Sequence, residues 1–346
     1  MNPIKQTEFG KMPDGRTVYQ YELRNDQGMI VKLINYGATV KELHVPDKNS
    51  ETADVVLGFD DLDGYLSSDN PFFGATIGRY GNRIANAAFT IEGNKYKLTA
   101  NENNNTLHGG KGFDKRYWEA QPLDGDEPSI RFSYLSPHLE EGFPGNLKVE
   151  VVFTLSQDNQ LKIDYQAVTD KTTHVNLTHH SYFNLNGAQK DILDHHLWVK
   201  AEAMTEVDDQ LIPTGKIRNI ENTPFDFTGM IRLKDRIEDI PGGIGLDNNF
   251  VLDKEAGKLE KVSRAWDPES GRYIEAYTTE PGLQIFTSGP LGPIKGKYGI
   301  GYGPYYGLCM EPQHFPDSPN KPEFLSTLLK PGEQYQSSTI YKFGVE

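Results

Sequence analysis

Four stretches of the chain concentrate side chains that move protons or grip oxygen: Gly78-Arg-Tyr-Gly-Asn-Arg-Ile84, Asn105-Thr-Leu-His-Gly-Gly110, Asn176-Leu-Thr-His-His-Ser-Tyr-Phe-Asn184 and Met310-Glu-Pro-Gln-His-Phe-Pro-Asp-Ser-Pro-Asn320. His108 precedes two glycines, whose missing Cβ lets backbone approach a ligand closely, although a plain surface turn reads the same way. His179 and His180 are adjacent, as are His195 and His196. On a strand such neighbours point to opposite faces, so neither pair can put two ligands on one ion without a bend. A histidine among Val175, Leu177, Tyr182 and Phe183 is either a hydrogen-bonded core residue or a group held in a partly desolvated cleft, with its pKa tuned there. Glu311 is expected at the end of the apolar strand Tyr306–Met310, where an unpaired carboxylate is costly to bury. That leaves an ion pair with an arginine such as Arg83, or a base of raised pKa. Arg79 and Arg83 read as salt-bridge partners or as donors to an oxygen-rich ligand, and Asp247 as a turn residue or a second carboxylate. Together they suit proton transfer on a polyhydroxylated substrate. Aldose ring opening needs a base for the anomeric hydroxyl proton and an acid for the ring oxygen.

Such residues must be carried by elements, and the patterning is that of an all-β protein. Leu147, Val149, Val151, Phe153 and Leu155 share one face of a period-two segment, and QLKIDYQAV (160–168) follows after a short Asp-Asn turn, giving a hairpin. Further strands are expected at 16–23, 29–33, 39–45, 89–98 folded about Glu92-Gly93-Asn94, 130–134, 198–203, 273–278, 283–287 and 339–343. Short helices are expected around 62–66 and 231–237. At least ten strands at this spacing predict a large antiparallel β-sandwich. No linker, repeat or low-complexity tract interrupts them, so the expectation is a single domain over 1–346.

Composition narrows the classes. The chain has 346 residues, with 35 Lys and Arg against 49 Asp and Glu and a net charge of −14, which argues against broad affinity for nucleic acid or anionic lipid. No apolar run approaches the roughly 18 residues of a spanning helix. Cys309 is the single cysteine, so no intrachain disulfide is possible, and the first residues lack an apolar signal core; a cytoplasmic location is expected. No P-loop, dinucleotide fingerprint or paired-cysteine site is present, so neither cofactor nor metal is expected.

The ordered motifs INYGATV, ATIGRYGNRIANAAFTI, NTLHGG, KGFDKRYW, EGFPGN, VNLTHHSYFNLNG, GLDNNFVL, EPQHFPDSPN and LKPGEQYQSSTIYKF run through nearly the whole chain, which resembles the aldose 1-epimerase (galactose mutarotase) family. The resemblance implies the galactose-mutarotase-like β-sandwich and interconversion of α and β anomers of free aldohexoses, with no cofactor. It implies Glu311 as general base, His180 as general acid and His108 as a substrate-binding histidine. Asn82, Arg83, Asp247 and Gln284 match positions that hold sugar hydroxyls. The implied partner is a small sugar, bound by a monomer or homodimer. Two departures from the family pattern stand out. His179 would place a second titrating imidazole beside the acid, lowering the pKa of His180 by like-charge repulsion; Pro290 replaces an asparagine and bears on sugar preference. The alternatives are a hexose-6-phosphate 1-epimerase, which needs an Arg/Lys cluster for the dianion, and a non-catalytic sugar-binding protein. A glycoside hydrolase would need two suitably spaced carboxylates, which Glu311 and Asp247 could supply.

Overall fold

The structure, a computed structural model, describes residues 4–346. Three antiparallel sheets dominate it: one of nine strands and two of five. The first five-stranded sheet runs in chain order from Lys5–Lys11 to Thr52–Asp54. The nine-stranded sheet has Tyr335–Val345 near its middle, between Gln160–Thr169 and Arg272–Thr278. The second five-stranded sheet is ordered Pro213–Asn219, Ala203–Val207, Asp247–Val251, Gly282–Phe286, Cys309–Gln313.

Alternation builds the core. Val149, Val151 and Phe153 from the nine-stranded sheet, Leu23, Val31 and Leu43 from the first five-stranded sheet, and Phe250, Leu283, Ile285 and Met310 from the second all enter one apolar cluster. Each sheet thus buries one face against the others, giving the all-β sandwich expected. The Leu147–Leu155 strand has the bounds that its alternation predicts, and its partner extends to Thr169. The helix Leu62–Leu66 also appears, capped by Asp61, whose side chain accepts from the Gly64 N–H.

Three expectations need correction. Residues 198–203 are not one strand: His196–Val199 ends in the nine-stranded sheet, and Ala203–Val207 begins in the other. Over 231–237, a two-residue strand, Ile231–Arg232, precedes the helix Lys234–Ile237. Glu311 does not end an apolar strand, since it lies at the centre of Cys309–Gln313.

Candidate active site

The second five-stranded sheet sets the site through its register. Asn249, Gln284 and Glu311 are direct cross-strand partners in one row, and Asp247, Phe286 and Cys309 form the next. Residues two apart share a face, so these rows lie together while Phe250, Leu283, Ile285 and Met310 turn into the core. The tyrosine hydroxyl of Tyr341 donates to Met310 O at 2.6 Å, tying the Glu311 strand to the nine-stranded sheet behind it.

His180 comes from a separate short strand, Thr178–His180, paired with Ala75–Ile77. Its ring stacks on Tyr182 at 5.0 Å, with Phe72 at 5.8 Å, and its Nε2 lies 3.6 Å from Glu311 Oε1. His179 faces the other way, against Phe153 and Tyr341, with its Nε2 on Ser181 Oγ at 2.7 Å. The like-charge repulsion expected to lower His180 falls on His179 instead. Burial depresses the His180 pKa to about 4, and burial followed by the His180 charge takes His179 to about 3.

The loop bearing His108 turns through three consecutive left-handed residues, His108, Gly109 and Gly110. A Cβ on Gly109 would lie 2.5 Å from Gly78 O, so only glycine lets the loop pack against the 78–84 segment. That segment answers through Asn82, whose backbone N–H donates to His108 Nδ1 at 3.2 Å and whose carbonyl accepts from the His108 N–H at 3.0 Å. Arg83 forks onto Glu102, at 2.6 and 2.8 Å, and turns Nη1 toward Asp247 Oδ2 at 3.8 Å. Asp247 Oδ1 accepts from Gln284 Nε2 at 2.6 Å.

These groups close a cleft of about 150 Å³, lined by Glu311, His180, His108, Asn82, Arg83 and Asp247, with Phe72, Tyr182, Phe286, Pro71 and Leu107 as its apolar wall. Gln284 stands behind Asp247 and does not line the cleft; Pro290 is exposed and does not line it either. The ion pair of Glu311 with Arg83 that the sequence allowed is not formed, because the arginine is engaged by Glu102 and faces Asp247. Arg79 is also absent from the cleft: its guanidinium is buried and donates to Ser136 and to the Pro144 and Gly145 carbonyls. Residues not singled out from the sequence contribute as well. Phe72, in a left-handed conformation rare for a bulky side chain, packs against both cleft imidazoles, and Glu102 anchors the arginine.

Burial, followed by the Asp247 charge and opposed by Arg83, raises the Glu311 carboxyl well above its usual range. Its Oε2 is buried without a hydrogen-bond partner. Burial raises Asp247 too, against Arg83 and Gln284. His108 is pushed well below 6.5 by burial, then by His180 and Arg83. His108, His180 and Glu311 hold donor atoms within 4.8 Å of one another, the donor types of a zinc site. However, His108 accepts the Asn82 N–H on Nδ1, so its neutral ring carries the proton on Nε2 and offers the cleft a donor in place of a lone pair. A buried carboxylate with high proton affinity facing an imidazole, beside fixed donors and acceptors, is equipped to exchange protons with a hydroxylated ligand.

The aldose 1-epimerase family profile matches residues 19–342. The chain is 44% identical over 351 residues to galactose mutarotase of Bos taurus, with both chains covered in full, and 35% identical to aldose 1-epimerase of Escherichia coli, covering 96% of this chain and 97% of that one. A crystal structure of an aldose epimerase homologue from C. elegans superposes with a TM-score of 0.87 at 34% identity, covering 94% of this chain and 98% of that one. The fold, the matched span and these whole-length likenesses together show that the chain belongs to the aldose 1-epimerase family.

Proposed function

We propose that the protein interconverts the α and β anomers of free aldohexoses, galactose and glucose among them, with Glu311 as base and His180 as acid. The observation that carries this reading is the 3.6 Å separation of His180 Nε2 and Glu311 Oε1 across the cleft. In a pyranose the anomeric hydroxyl oxygen and the ring oxygen are bonded to the same carbon, so an acid and a base serving them must converge within a few ångströms. Glu311 takes the C1 hydroxyl proton as His180 in its imidazolium form gives the Nε2 proton to the ring oxygen. The C1–O5 bond breaks and an aldehyde forms. Rotation about C1–C2 presents the other carbonyl face, and reclosure with the roles reversed returns both protons. Ring opening converts a buried carboxylate–imidazolium pair into a neutral pair, which a low-dielectric site favours.

The Nε2–H of His108 and the Asn82, Arg83 and Asp247 side chains are read as holding hydroxyls, and Gln284 as holding Asp247. A 6-phosphate is disfavoured, because the lining cation Arg83 is already met by Glu102 and Asp247 with Glu311 nearby. A non-catalytic sugar-binding role has no use for a converging acid and base. We read the chain as one domain over 1–346, supported by the apolar cluster shared by its sheets. We read it as a monomer or homodimer in the cytoplasm, with neither nucleic acid nor membrane as partner; the buried free Cys309 agrees with a reducing compartment. Among the described residues no helix is long and apolar enough to cross a membrane. Polarimetry of freshly dissolved α-D-glucose and α-D-galactose tests the reading. The protein should speed equilibration, and Glu311→Gln or His180→Asn should each lower the rate roughly 10²–10⁴-fold. Full activity in either variant would remove that residue from its role.

A further inference from the structure

The two cleft imidazoles differ in what faces their Nδ1 atoms. His108 Nδ1 meets the backbone N–H of Asn82 at 3.2 Å. An amide N–H donates and cannot accept, so this ring stays neutral with its proton on Nε2. His180 Nδ1 instead meets Cys309 Sγ at 3.6 Å, a normal length for a sulfur hydrogen bond. The ring's faces are covered by Tyr182 and Phe72, and its own backbone carbonyl also acts on it, as Glu311 does at Nε2.

We infer that Cys309 is a positioning residue whose sulfur accepts from His180 Nδ1–H through the whole cycle, so that the proton His180 gives and regains is always the one on Nε2. The inference rests on the acid role proposed for His180. A thiol has one weak donor and one weak acceptor site, and rotation about its C–S bond chooses between them. An imidazolium that gives its Nε2 proton to the ring oxygen keeps its Nδ1 proton, so Nδ1–H donates to sulfur in the charged and the neutral ring alike, and the neutral ring turns its Nε2 lone pair to the cleft. The contact therefore survives both halves of the proposed cycle, which the Asn82 amide could not do for His108.

Strand geometry supplies the pairing. Cys309 and Glu311 are two residues apart on one strand and share a face, so the strand that carries the base also carries the partner of the acid. The thiol is fully buried, and burial, then Glu311 and Asp247, push its pKa well above 9.0, so it stays a neutral thiol. Around His180 stand Glu311 at 3.6 Å, the His108 ring at 5.1 Å, Tyr182, and across the cleft Asp247 and Arg83, while His179 faces the core.

The test combines ¹⁵N NMR of the histidines in the wild-type protein with polarimetric kcat and KM across pH for wild type, Cys309→Ser and Cys309→Val. Neutral His180 should be the Nδ1–H tautomer. The serine variant, which keeps an acceptor, should stay near wild type. The valine variant, which fills the space without polarity, should lose roughly tenfold in kcat with little change in KM and a displaced acid limb. An Nε2–H tautomer in the wild type overturns the inference whether or not the variants fold. So do a valine variant with wild-type kcat and pH profile, or equal losses in both variants. His180→Asn reports separately: full activity there removes the acid role itself.

Discussion

At the scale of single residues, the site is a set of titratable groups sorted by what surrounds them. His179 and His180 share a sequence position to within one residue, yet one is a core histidine on Ser181 Oγ and the other faces Glu311. His179→Gln should therefore leave the pH dependence of kcat unmoved while lowering stability by about 1–3 kcal/mol through the loss of buried contacts; a displaced pH optimum would show that His179 acts on the acid after all. Arg83 is different, because its planar fork fits the Glu102 carboxylate while its third nitrogen faces Asp247. Arg83→Lys keeps the charge and loses the fork. We expect its KM for galactose to rise roughly tenfold or more with a smaller effect on kcat, measurable by initial-rate polarimetry. Of these residues, the types and motifs were legible in the sequence and several partners were not. Glu311 paired with Arg83 was one option the residue types allowed, and only the fold shows Glu102 in that place, 19 positions away in the chain. Phe72 carried no signal, since a Phe-Phe pair in a loop reads as core.

At the scale of elements, the strand Cys309–Gln313 is the piece everything else converges on. Its core face is held by Met310, and its far end is gripped by the buried Asn176, whose Oδ1 accepts from the His314 N–H at 2.9 Å and whose Nδ2 donates to His314 O at 3.2 Å and Gly81 O at 3.3 Å. One amide thus links the segments that carry Glu311, His180 and Asn82. Asn176→Ala leaves buried backbone groups without partners, at about 1–3 kcal/mol each, and should lower both the melting temperature and kcat; Met310→Ala, behind the sheet, should cost about 2–5 kcal/mol with kcat largely kept. Calorimetry and polarimetry on the two variants separate them, and equal kcat would refute the linking role of Asn176. Strands with strong alternation, such as Leu147–Leu155, could be read in advance because their pattern answers to a half-buried sheet. Asp247–Val251 could not: DNNFV has little intrinsic strand preference, and pairing with Ala203–Val207 and Gly282–Phe286 imposes its conformation. Cys309–Gln313 was legible only in its apolar start, which the sequence placed in a strand over Tyr306–Met310; its continuation was not, since Glu311 and Gln313 point into a polar site and Pro312 breaks the expected pattern.

At the scale of the whole molecule, the buried histidines govern the response to acid. Burial lowers His174 to about 4, His179 to about 3 and His180 to about 4, and, against the pull of Asp267, His195 to about 4. These groups bind fewer protons folded than unfolded between those values and 6.5. Their contribution is complete above 6.5 and is lost as the pH falls toward 4. The pair His314–Glu280, at 2.6 Å, works in the other direction on its basic side. Although burial opposes it, the Glu280 carboxylate raises the His314 pKa, so that contribution is whole below 6.5 and is lost as the pH rises through the raised value. Glu280 is lowered against its own burial by His314, so its share is whole above 4.5 and lost as the pH falls through the depressed value. His108 adds a fifth lowered histidine, while the raised carboxyls of Glu311 and Asp247 favour the folded chain as the pH falls; five histidines outweigh these, and the melting temperature should fall as the pH drops from 6.5 toward 4. A melting temperature that stays flat across that interval would contradict the burial assigned to these rings.

The short gap between His180 Nε2 and Glu311 Oε1 has one more consequence. At that length each group feels the other's charge with no hydrogen bond between them, so neither is committed to the other. The sugar acts as a wedge that parts them and offers each a new correspondent. A 1,5-anhydrohexitol, which keeps the ring oxygen and lacks the hydroxyl at C1, should slide in, occupy only one of the two, and stall there as a competitive inhibitor.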